Sequence, residues 1–197
     1  MQKIGIIILA AGASTRMNGE PKQLLEFEGK TLLRRAAETA LSSGLRPIVV
    51  VLGANAEKLQ PEIKNLPVLT AINENWATGM GGSIKTGLSV LLGENRGIEA
   101  AILMLCDQPF VTAKTLNRLV EAFQKTKKPI AACQYADTIG VPALFAREMF
   151  AELSDLQGDA GAKAVIKKHA AEVAKTPAPE AAFDVDTQAD FQKLLSD

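Results

Sequence analysis

Apolar residues fall in short unbroken runs rather than in strict alternation. Four stand out: "KIGIIIL" (3–9), "PIVVVL" (47–52), "PVLTAI" (67–72) and "AAILMLC" (100–106). Runs of this kind suit strands covered on both faces. Between and after them the pattern widens to helical spacing, over 31–43, 56–64, 81–92 and 113–126. Strands alternating with helices predict an α/β fold built on a mostly parallel sheet. The second half is less regular. "PIAACQY" (129–135) and "VPALF" (141–145) read as strands, with "TIG" before Val141 as the turn between them, an antiparallel excursion in the C-terminal half. Helices are expected over 146–153 and 160–170, then a strand and a Pro-rich loop in "EVAKTPAPEAA" (172–182). Thr187 is placed to cap a closing helix, with Asp190 in the capping-box position. No repeat, low-complexity tract or linker interrupts the pattern, so residues 1–197 are expected to form one domain.

Composition narrows the function. Hydrophobic residues make up 47% of 197, enough for one sizeable core. Lys plus Arg equals Asp plus Glu at 22 each, which argues against a broad nucleic-acid surface and leaves room for a local cationic pocket. The first apolar run is too short to cross a bilayer and lacks a signal-peptide pattern, so a soluble cytoplasmic protein with no membrane partner is expected. Cys106 and Cys133 lie in apolar surroundings and read as buried thiols. The single histidine, His169, excludes a His-rich zinc site and would have to carry any Ser-His-Asp triad alone. It follows "IKK" near a helix end, where a surface cation suits the dipole.

The candidate chemistry begins with "LAAGASTRMNGEPKQLL" (9–25), directly after the first strand. Open α/β sheets bind ligands beyond the carboxyl ends of their strands. Ala10, Ala11, Gly12 and Ala13 let a ligand approach the backbone, whose amides suit an anion. Arg16 can fork onto phosphate oxygens and Lys22 adds a second charge, its approach stiffened by Pro21. The loop suits a polyphosphate, although an ordinary strand–helix turn with two surface cations fits the same residues. It is neither a Walker A loop nor G-x-G-x-x-G.

Three further stretches bear on the same edge. "MLCDQPF" (104–110) puts Asp107 after a strand, where a carboxylate suits Mg²⁺ or simply opens a turn fixed by Pro109. "FDVDTQADF" (183–191) places Asp184 and Asp186 on one face of an extended segment, or in a solvated turn and helix cap. In "NENWATGMGGSIKTGL" (73–88), Gly79, Gly81 and Gly82 free the backbone and Ser83 offers a hydroxyl at a helix start, while Trp76 reads as a core anchor.

"LAAGASTRM…PK" resembles the nucleotide-binding signature of the molybdenum-cofactor type of nucleotidyltransferases. "MLCDQPF" and "FDVDTQADF" resemble that family's metal motif and its closing aspartate segment, and "NENWATGMGGSIKTGL" its base-and-ribose loop. "GVPALF" (140–145) and "GDAGAK" (158–163) resemble two segments bordering the acceptor. The resemblance implies a three-layer Rossmann-like nucleotidyltransferase fold. It implies a nucleoside triphosphate held by Leu9, Ala10, Ala11, Gly12, Arg16, Lys22, Gly79 and Ser83. Mg²⁺ would sit on Asp107 with Asp184 and Asp186, which stay unranked. Arg16, Lys22 and Asp107 would be the catalytic groups, and Gly140, Pro142, Gly158, Asp159, Gly161 and Lys163 would border the acceptor.

The chain departs from the family pattern at several points. "RMNGEPK" carries an extra residue between Met17 and Gly19, Gln188 and Ala189 replace Pro-Glu, Val141 stands where His is frequent, and Ala160 where a cation is frequent. Ala11 matches the cytidylyltransferase branch, where guanylyltransferases have glycine; its methyl would crowd a purine, which favours CTP. The implied activity is Mg²⁺-dependent transfer of CMP from CTP to the phosphate of a molybdopterin-type cofactor, with pyrophosphate released and a molybdenum hydroxylase as recipient of the product. Three alternatives remain. One is transfer from CTP or GTP to another small phosphorylated acceptor. Another is an NAD(P)-linked oxidoreductase, against which stand the missing glycine fingerprint and the absence of an acid closing "VVVLGAN". The third is non-catalytic cofactor delivery, which would not need the carboxylates.

Overall fold

The apolar runs become strands that neighbour one another in a single sheet, because each is apolar on both faces and needs cover on both. A computed structural model describes residues 3–17 and 20–196. The elements are β1 (Ile4–Ala10), a short hairpin of β2 (Glu26–Phe27) and β3 (Lys30–Thr31), α1 (Leu32–Ser42), β4 (Ile48–Leu52), α2 (Ala56–Ile63), β5 (Leu69–Ile72) and α3 (Met80–Glu94). Then follow β6 (Ala100–Leu105), α4 (Ala113–Thr126), β7 (Ile130–Tyr135), β8 (Thr138–Ala146), α5 (Phe150–Ser154), α6 (Ala162–Lys168), β9 (Val173–Pro177) and α7 (Gln188–Ser196).

The seven-stranded sheet has the order β5-β4-β1-β6-β8-β7-β9. β1 pairs in parallel with β4 and β6, and β4 with β5. β8 runs antiparallel to both β6 and β7, and β9 is parallel to β7. The excursion is therefore one reversed strand in an otherwise parallel sheet. The strand pleat sorts the core into two layers. Ile4, Ile6 and Ile8 pack with Leu33, Ala37, Leu59, Leu116 and Leu119 on one face; Ile7 and Leu9 pack with Ile84, Leu88, Leu153 and Val165 on the other. On the second face α3 lies close to the sheet because residue 87 is glycine: a Cβ there would sit 2.5 Å from Ile7 Cγ2. A smaller cluster of Leu32, Val185 and Leu194 holds α7.

Several expectations shift. The turn before Val141 lies at Ala136–Asp137, and Thr138–Gly140 belong to β8. Ala136 takes the left-handed conformation (φ 46°), while Gly140 serves a close approach, since a Cβ there would lie 2.5 Å from Tyr135 Oη. The helix expected over 146–153 opens as a 3-10 turn at Arg147–Met149, and that over 160–170 shortens to α6. The extra residue after Met17 falls on Asn18 and Gly19, outside the described residues. Thr187 and Asp190 do form reciprocal bonds at the start of α7, Asp190 N donating to Thr187 Oγ1 (3.2 Å) and Thr187 N to Asp190 Oδ2 (3.0 Å). Cys106 and Cys133 are buried free thiols; burial first, then the Asp107 carboxylate, pushes Cys106 up to about 12. His169 caps the C-terminus of α6, and its two ring nitrogens meet Glu172 and Glu152 at 2.8 Å each. These two carboxylates raise its pKa and favour the imidazolium. Among the described residues no helix is long and apolar enough to cross a membrane.

Candidate active site

The loops after β1, β5 and β6 gather at one edge of the sheet, beside the point where strand order reverses about β1. They enclose, with the segment before α7, a cavity of about 450 Å³. Leu9, Ala10, Ala11, Gly12, Lys22, Gly79, Ser83, Asp107, Asp159, Asp184 and Asp186 all line it. Residues far apart in sequence, expected to bind nucleotide and metal, thus share one space.

The first loop owes its shape to Gln23, a residue that sequence reasoning missed. Its side chain is buried, with 1% of the residue exposed. Nε2 donates to the carbonyls of Ala10 (3.1 Å) and Gly12 (2.8 Å), and Oε1 accepts from Ser14 Oγ (3.0 Å). Ser14 Oγ in turn accepts from the Lys22 amide at 3.0 Å. One carboxamide therefore ties the small-residue loop to the turn that carries Lys22. The available signal was a polar residue between Lys22 and the apolar pair Leu24-Leu25.

Lys22 reaches across to the carboxylates. Its Nζ is ion-paired with Asp107 Oδ2 and lies 2.7 Å from Asp186 Oδ1. Burial alone would lower its pKa, but Asp107 and the hydrogen bonds to both carboxylates hold it well above the usual lysine range. Asp107 Oδ1 is buried and has no hydrogen-bond partner. Asp184, close by, is pushed up to about 6, first by desolvation and then by the Asp107 charge. The Asp184–Asp186 segment is held here because the Val185 amide donates to the Asp107 carbonyl (2.9 Å) while its side chain is buried beside Leu32 and Leu194. Arg16 stands on the rim, 74% exposed, with Nη1 3.9 Å from Asp186.

Among the described residues, no three Asp, Glu, His or Cys side chains cluster tightly enough to hold an ion unaided. Lys22, rather than a shared centre, stands between Asp107 and Asp186. The Asp107 oxygen without a partner is a carboxylate acceptor that Lys22 leaves open, with Asp184 and Asp186 lining the same cavity. These residues fit a cation that takes one or two carboxylates and completes its shell with water and phosphate oxygens, as Mg²⁺ does.

The opposite wall differs from expectation. Ser83 lies one turn inside α3 and does not cap it; Gly79 occupies that place, with φ +111°. The Ser83 hydroxyl accepts from Nδ2 of buried Asn73 (3.0 Å), whose Oδ1 accepts from the Asn75 amide (3.1 Å). Trp76 is not a core anchor. It sits on a 3-10 turn, Trp76–Thr78, 37% exposed, and lines the cavity with Met80. The 158–161 segment packs directly on this wall. A Cβ on Gly79 would come within 2.2 Å of the Gly158 carbonyl, and the Gly81 amide donates to Gly158 O (3.2 Å).

Of the residues expected around an acceptor, only Asp159 lines the cavity. Gly158 and Gly161 support its wall from behind, Gly161 against Met80, and Lys163 is exposed on α6. Gly140 and Pro142 flank the Val141 carbonyl, which accepts from Tyr135 Oη (3.1 Å) and Gln108 Nε2 (3.3 Å). Gln108 Nε2 also donates to Ala181 O (3.0 Å), so Gln108 links β8 to the segment that leads to Asp184.

Residues 6–173 match the model of the MobA-like NTP transferase domain. Nicotine blue oxidoreductase of Paenarthrobacter nicotinovorans is 32% identical over 168 residues, covering 82% of this chain and 80% of that protein. The crystal structure of Rv0371c from Mycobacterium tuberculosis H37Rv superposes with a TM-score of 0.86 at 29% identity, over 100% of this chain and 99% of that one. The same protein is known as a complex with manganese, which superposes with a TM-score of 0.82. The bifunctional protein GlmU of Neisseria meningitidis serogroup A is 35% identical over 120 residues; these are 60% of this chain and a quarter (25%) of that longer protein.

Proposed function

Because the chain belongs to the MobA-like NTP transferase family and is a nucleotidyltransferase, we propose that it transfers CMP from CTP to the phosphate of a molybdopterin-type cofactor. A molybdenum hydroxylase is the proposed recipient of the product. The observation that carries the reading is Lys22 paired with Asp107 and Asp186 in the same cavity as the 9–13 loop. A cation that reaches the carboxylates of a nucleotidyltransferase site is suited to reach triphosphate oxygens as well.

In the proposed reaction an acceptor phosphate oxygen bonds to the α-phosphorus of CTP. The α–β bridging P–O bond breaks, and its electrons leave with pyrophosphate. A phosphate acceptor is already ionised at neutral pH, so no base is required. Arg16 and Lys22 hold the triphosphate and offset the charge on the departing pyrophosphate. Gln23 keeps the 10–14 backbone shaped around it. Asp107, with Asp184 or Asp186, would hold Mg²⁺, which would supply neutralisation of phosphate charge. We put the acceptor on the side of Asp159, which lines the cavity, with Gly158 and Gly161 supporting that wall from behind; Gly140, Pro142 and Lys163 stand outside the lining.

CTP is favoured over GTP on the family resemblance at Ala11, a residue of the loop that lines the cavity. The test is calorimetric titration with CTP, GTP and NADPH, with and without Mg²⁺, followed by pyrophosphate release in the presence of molybdopterin cofactor. Mg²⁺-dependent binding of CTP above GTP is expected. The name of the Paenarthrobacter relative favours a second reading, an oxidoreductase. Binding of NADPH with no binding of either triphosphate would establish that reading in place of the first.

A further inference from the structure

Trp76 is the chain's one tryptophan, yet the fold leaves it partly exposed. An indole is the side chain whose burial gives a core most, so leaving it at a cavity wall forgoes stability. Its position is not slack. A Cβ on Gly53 would lie 2.5 Å from Trp76 Cβ and 2.9 Å from Ala11 Cβ, so the end of β4, the first loop and the 3-10 turn interlock at the root of the indole. Met80, 40% exposed, is backed near its tip, since a Cβ on Gly161 would lie 2.7 Å from its Sδ. Two large, partly exposed apolar side chains, Trp76 held at its base and Met80 backed at its sulfur, thus line the cavity that also holds Lys22 and Asp107. Behind them the Asn73 carboxamide is engaged by Ser83 and the Asn75 amide.

We propose that Trp76, with Met80 beside it, is the stacking platform for the planar base of the bound nucleotide, and that it supplies affinity without choosing between pyrimidine and purine. The inference rests on the nucleotidyl-transfer reading. Every base has a π-face, so an indole platform is tolerant of base identity. Discrimination then falls to the groups that meet the edge of the base.

The test titrates the wild type, Trp76→Ala and Trp76→Phe with CTP, GTP and inorganic tripolyphosphate, each with Mg²⁺, by calorimetry. Tryptophan fluorescence is followed in parallel for the wild type. Both nucleotides are expected to quench the indole, and tripolyphosphate to bind without quenching. Trp76→Ala is expected to raise Kd for CTP and GTP alike by about tenfold, to spare tripolyphosphate, and to be largely rescued by Trp76→Phe. Nucleotide binding unchanged in Trp76→Ala overturns the platform and leaves the transferase reading standing. An equal loss of tripolyphosphate binding overturns it too, as a structural effect. Absence of nucleotide binding in the wild type removes both readings.

Discussion

Lys22 Nζ stands between the carboxylates of Asp107 and Asp186, ion-paired with the first and 2.7 Å from the second. The Lys22 and Asp107 side chains are 16% and 10% exposed, so their pairing is shielded from solvent. The protein carries an internal counter-ion where its acidic residues converge.

Replacing that counter-ion by Lys22→Met leaves Asp107 buried beside Asp184 with its charge unmatched. Stability in chelator is expected to fall by about 3 kcal/mol, the scale of breaking a buried pair. Mn²⁺ alone should bind the variant more tightly than the wild type and restore part of the lost Tm. Thermal unfolding with EDTA and with Mn²⁺ checks this; equal Mn²⁺ affinity in both proteins would mean that Lys22 does not compete with a cation.

Asp107→Asn keeps shape and hydrogen-bonding capacity while removing the charge. Nucleotidyl transfer is expected to drop on the order of a hundredfold or more, with the far-UV spectrum unchanged. A variant with full turnover would remove Asp107 from the metal site.

Gln23→Leu is close in volume but strips the donors from the Ala10 and Gly12 carbonyls and the acceptor from Ser14. The expected loss is about 1–3 kcal/mol in urea unfolding. The KM for nucleotide should rise more than kcat falls, because the loop shape suffers rather than the reacting groups. An unaltered KM would show that the loop holds its form without the carboxamide.

Asp184 gives a pH dependence of defined sign. Its folded pKa, near 6, lies above its ordinary 3.8. The folded state therefore prefers the protonated acid. That preference is fully present below about pH 3.8 and is lost as pH rises through 6. Asp184→Asn should raise Tm in chelator at pH 8 and have little effect at pH 4. A variant that destabilises at pH 8 would contradict the assignment.

Much of this was legible because it depends on local pattern. The four parallel strands, the four large helices and the α7 cap follow from apolar runs and capping residues. So does the meeting of Asp107 with the first loop, since both follow strands of a parallel sheet. The rest depended on contacts between distant segments. Trp76 was misread because an apolar residue among glycines resembles a core anchor until Gly53 and Ala11 are seen to occupy its base. Gln23 was invisible because its partners lie on the backbone of another segment. Gly140 looked like a turn residue, and its need arises from the neighbouring Tyr135 hydroxyl.

β7 and β8 meet through the two-residue turn Ala136–Asp137, and β8 is the strand that runs against its neighbours. Its beginning, rather than its end, reaches the edge where β1 and β6 finish. A hairpin tip on a reversed strand thus stands at the same edge of the sheet as the 9–13 loop, which follows a parallel strand. The two are separable parts for engineering: none of residues 136–142 lines the cavity, so the tip at Ala136–Asp137 offers a place to graft a different sequence with the lining of the cavity left intact.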